Sequence, residues 1–91
     1  MTHSVIHRPE ASRFEAGSGA SLALCAYRRV GDLLVLHHTE VPPALQGQGV
    51  AAELVAAALA WAREQGLRVR PSCSYVAIYM RRHPQTRDLL E

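Results

Sequence analysis

The segment with the most distinctive chemistry is the glycine-rich stretch QGQGVA at residues 46–51. It lies between a strand that ends before Pro42 and a long helical pattern. Two glycines permit backbone conformations that a side chain would block, and the first N–H groups of a helix have no partner within it. This stretch could therefore hold a phosphate or pyrophosphate. The alternative is a tight strand-to-helix turn, because the Gly-Lys-Ser/Thr of a Walker loop and the third glycine of a dinucleotide-binding fingerprint are missing.

Two polar residues at the end of the preceding strand could transfer protons. His38 and Glu40 are two positions apart, so they share one face of a strand. An imidazole could deprotonate an ammonium group, and the carboxylate could hold the imidazole or the substrate. His38 follows the apolar run LLVL, so we expect it where the strand exits into a cleft. The alternative is that His38 bonds to a neighbouring loop and Glu40 caps a turn.

Cys73 is a candidate nucleophile. A helix that begins directly after it would lower the pKa of its thiol, and the thiolate is the reactive form. The alternative is a small buried apolar residue, the usual environment of a free cysteine. Cys25 lies within a strand and is assigned to packing. The two cysteines have no metal-binding spacing, so we expect no metal, and in a reducing compartment both would be free thiols.

Periodicity predicts the elements that position these residues. A period of two predicts the strand at 20–30, and the apolar run that opens the strand at 33–41 predicts burial on both faces there. Apolar residues recur three and four positions apart in the long helix, which Gly66 ends. The predicted strands cover residues 4–8, 13–16, 20–30, 33–41 and 67–70, and the predicted helices cover 48–65 and 75–83. Strand, helix and strand in this order imply a parallel pair with a right-handed crossover. The predicted fold is one mixed α/β (α+β) domain over residues 1–91, with a largely antiparallel sheet.

Several motifs resemble one known family. Gln46-x-x-Gly49-x-Ala51 after a strand matches the Gln/Arg-x-x-Gly-x-Gly/Ala signature of the GNAT superfamily of acetyl-CoA-dependent N-acetyltransferases. The chain resembles the short, single-domain members over about residues 20–90. The further motifs are HTEVP at 38–42, GQG at 47–49, Pro71-x-Cys73 and Tyr79-x-x-x-His83-Pro84. The resemblance implies a GNAT-like fold, with acetyl-CoA or coenzyme A as co-substrate and no metal.

The same resemblance implies how coenzyme A would bind. Backbone amides of the glycine-rich stretch would hold the pyrophosphate, and the end of the strand before Pro42 would pair with the pantetheine amides. The strand at 67–70 would diverge from it and leave a notch for the thioester. The implied cofactor-binding residues are Thr39, Glu40, Val41, Gln46, Gly47, Gln48, Gly49, Val50 and Ala51.

The resemblance also implies acetyl transfer to a primary amine. In this family the amine usually attacks the thioester directly, and a tyrosine early in the helix after the diverging strand protonates the leaving thiolate. Tyr75 and Tyr79 both qualify, and Tyr79 fits the pattern of the short members better. Cys73 offers a second route, in which its thiolate accepts the acetyl group and passes it on. The catalytic candidates are thus Cys73, His38 and Tyr79.

Composition and charge restrict the partners. Ten dispersed arginines, no lysine and a net charge of +2 do not form a nucleic-acid footprint. No apolar run approaches the roughly 20 residues of a membrane span, and no secretory h-region is evident, so we expect a cytoplasmic protein. The acceptor amine, on a protein or a small molecule, stays open, as does the choice between monomer and homodimer. We expect no counterpart of the acceptor-binding helices of larger GNAT proteins. The second hypothesis is a non-catalytic acyl-CoA-binding or protein-interaction module.

Overall fold

Five strands form one sheet and follow one another in chain order across it. The structure, a computed structural model, describes residues 3–91. The strands are β1 (Val5–Arg8), β2 (Arg13–Ser18), β3 (Ser21–Val30), β4 (Leu33–Glu40) and β5 (Arg68–Pro71). The pairs from β1 to β4 are antiparallel, and β4 and β5 are parallel. The mixed, largely antiparallel architecture predicted from periodicity is confirmed.

Two helices pack side by side on one face of this sheet. Helix α1 (Val50–Gln65) connects β4 to β5, and the shorter α2 (Ser74–Arg82) follows β5. Three short 3-10 turns complete the fold, at Pro9–Ala11, Pro43–Leu45 and Pro84–Leu89. Among residues 3–91, the structure contains no helix that is long and apolar enough to cross a membrane.

The helix and strand limits differ from prediction by one or two residues. Helix α1 begins at Val50 rather than Gln48, because Gly49 adopts a left-handed conformation with φ of 76° that an α-helix excludes. Strand β5 is displaced by one residue, and α2 runs from Ser74 to Arg82. The predicted end of α1 is confirmed: Gly66 has φ of 68°, and its N–H donates to the Arg63 carbonyl.

The hydrophobic core lies between the two helices and one face of the sheet. It joins the fully buried Leu34 and Leu36 of β4 to Leu54 of α1 and Met80 of α2. Strand alternation sends the intervening residues to the opposite face. In the part of the chain that the structure describes, no helix covers that face, which we call the open face.

A β-bulge in the pairing of β3 with β4 changes the face of the sheet to which each of the last residues of β4 points. Tyr27 opposes Leu36, but Ala26 opposes His38, so His37 is the extra residue. As a result Thr39 points to the helix side, opposite the buried Cys25. His38 and Glu40 point to the open face.

Strands β4 and β5 diverge after four paired residues. Their ladder runs from Leu33 opposite Arg68 to Leu36 opposite Pro71. The Cys73 N–H then donates to the Leu36 carbonyl at 3.0 Å, and the chain leaves the sheet to begin α2. Because β4 continues to Glu40, its last four residues have no strand partner on the β5 side within residues 3–91.

Candidate active site

The glycine-rich loop adopts a conformation that requires glycine at two positions. Gly47 and Gly49 have φ of 79° and 76°, in the left-handed region where L side chains are strained. A Cβ atom built at either glycine would meet no atom within 4 Å. The glycines are therefore required by the backbone conformation, and no side chain at these two positions obstructs access to the loop.

The start of α1 supplies free hydrogen-bond donors beside this loop. The first helical bond joins the Glu53 N–H to the Gly49 carbonyl at 3.2 Å. The N–H groups of Val50, Ala51 and Ala52 therefore have no acceptor within the helix, and they lie at the positive end of its dipole. Loop and helix start together can accept an anion.

A groove of about 280 Å³ passes over these donors. Its wall brings together six of the predicted cofactor-binding residues, and Tyr75 of α2 forms part of the wall. The lining residues are Val41, Leu45, Gln46, Gly47, Gly49, Val50, Ala51, Ala52 and Tyr75. Thr39 and Glu40 lie outside this lining, on the last residues of β4. Gln48 also lies outside it, since its amide nitrogen donates to the Ala44 carbonyl at 3.1 Å.

Cys73 lies beside the unpaired end of β4. Its Sγ is 3.4 Å from the Thr39 hydroxyl oxygen, and the thiol is partly buried. Burial disfavours the thiolate, but the Thr39 hydroxyl and the backbone N–H dipoles of Val76 and Tyr75 together outweigh burial. The pKa of Cys73 is therefore lowered, as expected for a thiol at a helix start.

Cys25 is the opposite case. It is fully buried in β3, and burial raises the pKa of its thiol from the ordinary 9.0 to about 11, although a bond to Thr39 opposes this. The structure thus contains one partly buried thiol with a lowered pKa and one fully buried thiol with a raised pKa.

His38 is not close to Cys73. Its Nε2 is 3.3 Å from Oε1 of Glu40, and both side chains are exposed. Because the bulge directs His38 to the open face and Thr39 to the helix side, the backbone of β4 separates the imidazole from the thiol. The structure brings Cys73 and Thr39 together, and separately His38 and Glu40.

The two tyrosines of α2 line different grooves. Tyr75 faces the glycine-rich loop, and its pKa is raised by burial and by the nearby Tyr79, although Arg82 opposes this. Tyr79 stacks on His83 with ring centroids 3.9 Å apart. It lines a second groove of about 160 Å³ with Leu59 and Arg63 of α1.

Sequence reasoning missed His3 as part of this region. Its backbone N–H and ring Nδ1 contact the Glu53 carboxylate at 2.9 and 2.6 Å, and its Nε2 contacts Gln48 Oε1 at 3.0 Å. His3 is 45 residues from Gln48 in sequence, so no local pattern could have revealed this contact. No group of three or more potential metal-ligating side chains occurs among residues 3–91.

Comparison with known proteins identifies the family. A family profile described as GCN5-related N-acetyl-transferase matches residues 13–89. The chain belongs to this family. The match includes the glycine-rich loop, His38, Cys73, Tyr75 and Tyr79, but not His3.

Curated relatives in this family share the name Protein NATD1. The human and mouse proteins are each 40% identical over 63 residues, which cover 68% of this chain and 56% and 57% of theirs. The zebrafish (Danio rerio) protein is 34% identical over 68 residues, which cover 74% of this chain and 62% of its own. The chain thus matches less than two thirds of the length of these relatives.

A solved structure confirms the predicted GNAT-like fold. The NMR solution structure of a GCN5-like protein from Staphylococcus aureus superimposes with a TM-score of 0.78 at 27% identity. The superposition covers 97% of this chain and 87% of that one. The family and the fold proposed from the motifs at residues 38–42, 47–49 and 71–84 are therefore established.

Proposed function

We propose that this protein is an acetyl-CoA-dependent N-acetyltransferase that transfers acetyl to a primary amine. One observation carries the proposal: the anion-accepting loop and the unpaired end of β4 adjoin each other. Val41 links them, because it directly follows β4 and also lines the groove over the loop. A long ligand with a pyrophosphate at one end and a thioester at the other would fit this arrangement.

The backbone would make most of the coenzyme contacts. The N–H groups of Val50, Ala51 and Ala52 would bind the pyrophosphate. The unpaired peptide groups from Thr39 to Val41 would bond to the pantetheine amides, as a short added strand does. The thioester would then lie in the divergence between β4 and β5.

Direct transfer needs a base and an acid. The amine nitrogen forms a bond to the thioester carbonyl carbon, the carbon–sulfur bond breaks, and the thiolate leaves with the electron pair. His38, paired with Glu40, would take the amine proton from the open face. A tyrosine of α2 would protonate the thiolate. Tyr75 is the stronger candidate, because it lies in the first turn of α2, directly after the divergence of β4 and β5, whereas Tyr79 lines the second groove.

Cys73 supports a two-step alternative. Its thiolate would attack the thioester carbon, release coenzyme A as the thiolate and carry the acetyl group as a new thioester. The amine would then attack that thioester and release Cys73. The lowered pKa of Cys73 and its contact with Thr39 favour this route. A reducing cytoplasm, the setting that we propose, would keep both thiols free.

The proposal is tested by calorimetric titration with acetyl-CoA, followed by intact-mass measurement of the same sample. We expect saturable binding. An acetyl adduct that Cys73→Ala removes and Cys25→Ala retains would select the two-step route, whereas binding without an adduct is expected both for direct transfer and for a non-catalytic module. Absence of binding at high micromolar acetyl-CoA would refute the proposal.

Substitutions distinguish an enzyme from a non-catalytic coenzyme-binding module. For an enzyme, His38→Ala and Tyr75→Phe should reduce acetyl transfer to a model primary amine while acetyl-CoA binding persists. Tyr79→Phe is the variant to compare with Tyr75→Phe, because it removes a tyrosine hydroxyl from the same helix. Transfer that is absent in the unmodified protein with every amine tested, despite tight binding, would favour the module.

A further inference from the structure

A contact between the N-terminal segment and the glycine-rich loop has no role in the function proposed so far. The side chain of His3 is largely buried, with 16% exposure, against the start of α1. It touches Glu53 in the first helical turn and Gln48 in the loop. We call these three residues the His3 clip.

The geometry of the clip specifies the charged form of the imidazole. Nδ1 faces a carboxylate oxygen of Glu53, which accepts hydrogen bonds only. Nε2 faces Oε1 of Gln48, and the orientation of that amide is fixed because its nitrogen donates to the Ala44 carbonyl. Both ring nitrogens must therefore donate, which only the imidazolium can do. A neutral ring loses one of the two bonds.

The charge of His3 matters because of where Glu53 lies. Glu53 is the acidic residue in the first turn of α1, beside the N–H groups that would receive a pyrophosphate. An unpaired carboxylate there would repel an incoming anion, whereas a carboxylate paired with an imidazolium would not. Hydrogen bonds from the His3 N–H and side chain lower the pKa of Glu53, so this carboxylate stays ionised.

The groups around His3 favour its protonation. Hydrogen bonds to Glu53 and Gln48 raise the pKa of the imidazole above 6.5, against partial burial. Glu53 is the charged group that faces the ring from α1, and Gln48, which faces it from the loop, is neutral. The clip is therefore closed below this pKa and opens as pH rises through it.

We propose that His3 is a positioning residue that holds the glycine-rich loop and neutralises Glu53, so that the anionic coenzyme binds best when His3 is protonated. This inference rests on the proposed function, since it assigns the anion to coenzyme A. The structure of the clip itself does not depend on that assignment.

The first measurement concerns the free protein. An NMR titration of the imidazole signals should give His3 a pKa above 6.5, which Glu53→Gln shifts down. Glu64→Gln, at the exposed far end of α1, should leave it unchanged. A His3 pKa at or below 6.5 in the unmodified protein would overturn the clip.

The second measurement concerns binding of acetyl-CoA at about pH 6 and pH 8. Binding should weaken with pH more steeply in the unmodified protein than in His3→Ala. A helix-terminal charge contributes about a two- to fivefold effect on affinity, so His3→Ala should weaken binding by that factor at pH 6. The ligand phosphate, whose second pKa is about 6, titrates in the same way with both proteins. Its effect therefore cancels when the affinity of the unmodified protein is divided by that of His3→Ala at the same pH.

A double-substitution cycle completes the test. In the Glu53→Gln background, His3→Ala should have a much smaller effect, because no carboxylate is left to neutralise. Equal pH dependence in the unmodified protein and His3→Ala would overturn the inference while the proposed function stands. If the unmodified protein binds no acetyl-CoA, the proposed function and this role for His3 both fail.

Discussion

The contrast between the two thiols gives a quantitative prediction. Cys25 has a pKa of about 11 and Cys73 a pKa below the ordinary 9.0. At about pH 7.5 the thiolate fraction is then about 0.03% for Cys25 and more than about 3% for Cys73. The thiolate is the nucleophile, but its intrinsic reactivity falls as its pKa falls, by about 6- to 10-fold over two pKa units. Cys73 should therefore react with iodoacetamide at least about 10 times faster. Full burial of Cys25 should widen this difference.

Thr39→Val isolates the contribution of the hydroxyl, because valine keeps the approximate size of the side chain. The hydroxyl is 3.4 Å from Sγ of Cys73, and a hydrogen bond of this kind contributes about 0.5–1.5 kcal/mol. Its loss should therefore slow alkylation of Cys73 about 1.5- to 4-fold near neutral pH, because the less acidic thiolate is also the stronger nucleophile. The midpoint of the pH–rate profile should rise.

The assay is alkylation followed over time by peptide mass spectrometry across a range of pH. Thr86→Val is the matched control, because the Thr86 hydroxyl donates to the His83 carbonyl and not to a thiol. Comparable alkylation rates for Cys25 and Cys73, or an unchanged Cys73 profile in Thr39→Val, would refute the reasoning about the thiol environment.

Two further predictions concern glycine conformation and a partly buried histidine. Gly49→Ala and Gly66→Ala each place alanine in a left-handed conformation at one end of α1, which costs about 1–2 kcal/mol. Both substitutions should lower Tm by roughly 4–8 °C per kcal/mol. Calorimetry should show weaker acetyl-CoA binding for Gly49→Ala alone, and an equal loss of acetyl-CoA affinity in both variants would count against the loop site. Burial lowers the pKa of His7, which stacks on Phe14, so the unfolded chain takes up the proton first and stability falls as pH drops below about 6.5. His7→Phe should flatten the dependence of Tm on pH between about 5 and 7, and an unchanged slope would contradict this.

Local patterns were sufficient to predict the elements of this fold. The five strands and two helices follow from alternation, three- and four-residue spacing and the glycines and prolines between them. The glycine-rich loop was also predictable, because the presence of glycines and their position before a helix are local features of the sequence. The start of α1 was wrong by two residues, because the left-handed conformation of Gly49 is not encoded in apolar spacing.

The parts of the site that sequence did not predict depend on contacts between distant segments. His3 meets Gln48 only through the packing of the N-terminal segment on α1. Tyr75 and Tyr79 line different grooves, because Tyr75 lies opposite the glycine-rich loop and the start of α1, whereas Tyr79 lies opposite later turns of α1 and residues 85–89. The extra residue at His37 has no signature in LLVLHHTE, since a bulge arises from how β3 pairs with β4.

That extra residue decides which side chain lies beside the Cys73 thiol. In a regular ladder, alternation would carry His38 to the helix side and Thr39 to the open face. Cys73 would then face an imidazole, the partner that makes thiolates of strongly lowered pKa in cysteine hydrolases. With the bulge, the same residues in the same order give the sulfur a hydroxyl neighbour and leave the imidazole on the open face. The reactivity of the thiol is thus set by a phase shift in the backbone pairing and not by the residue types present.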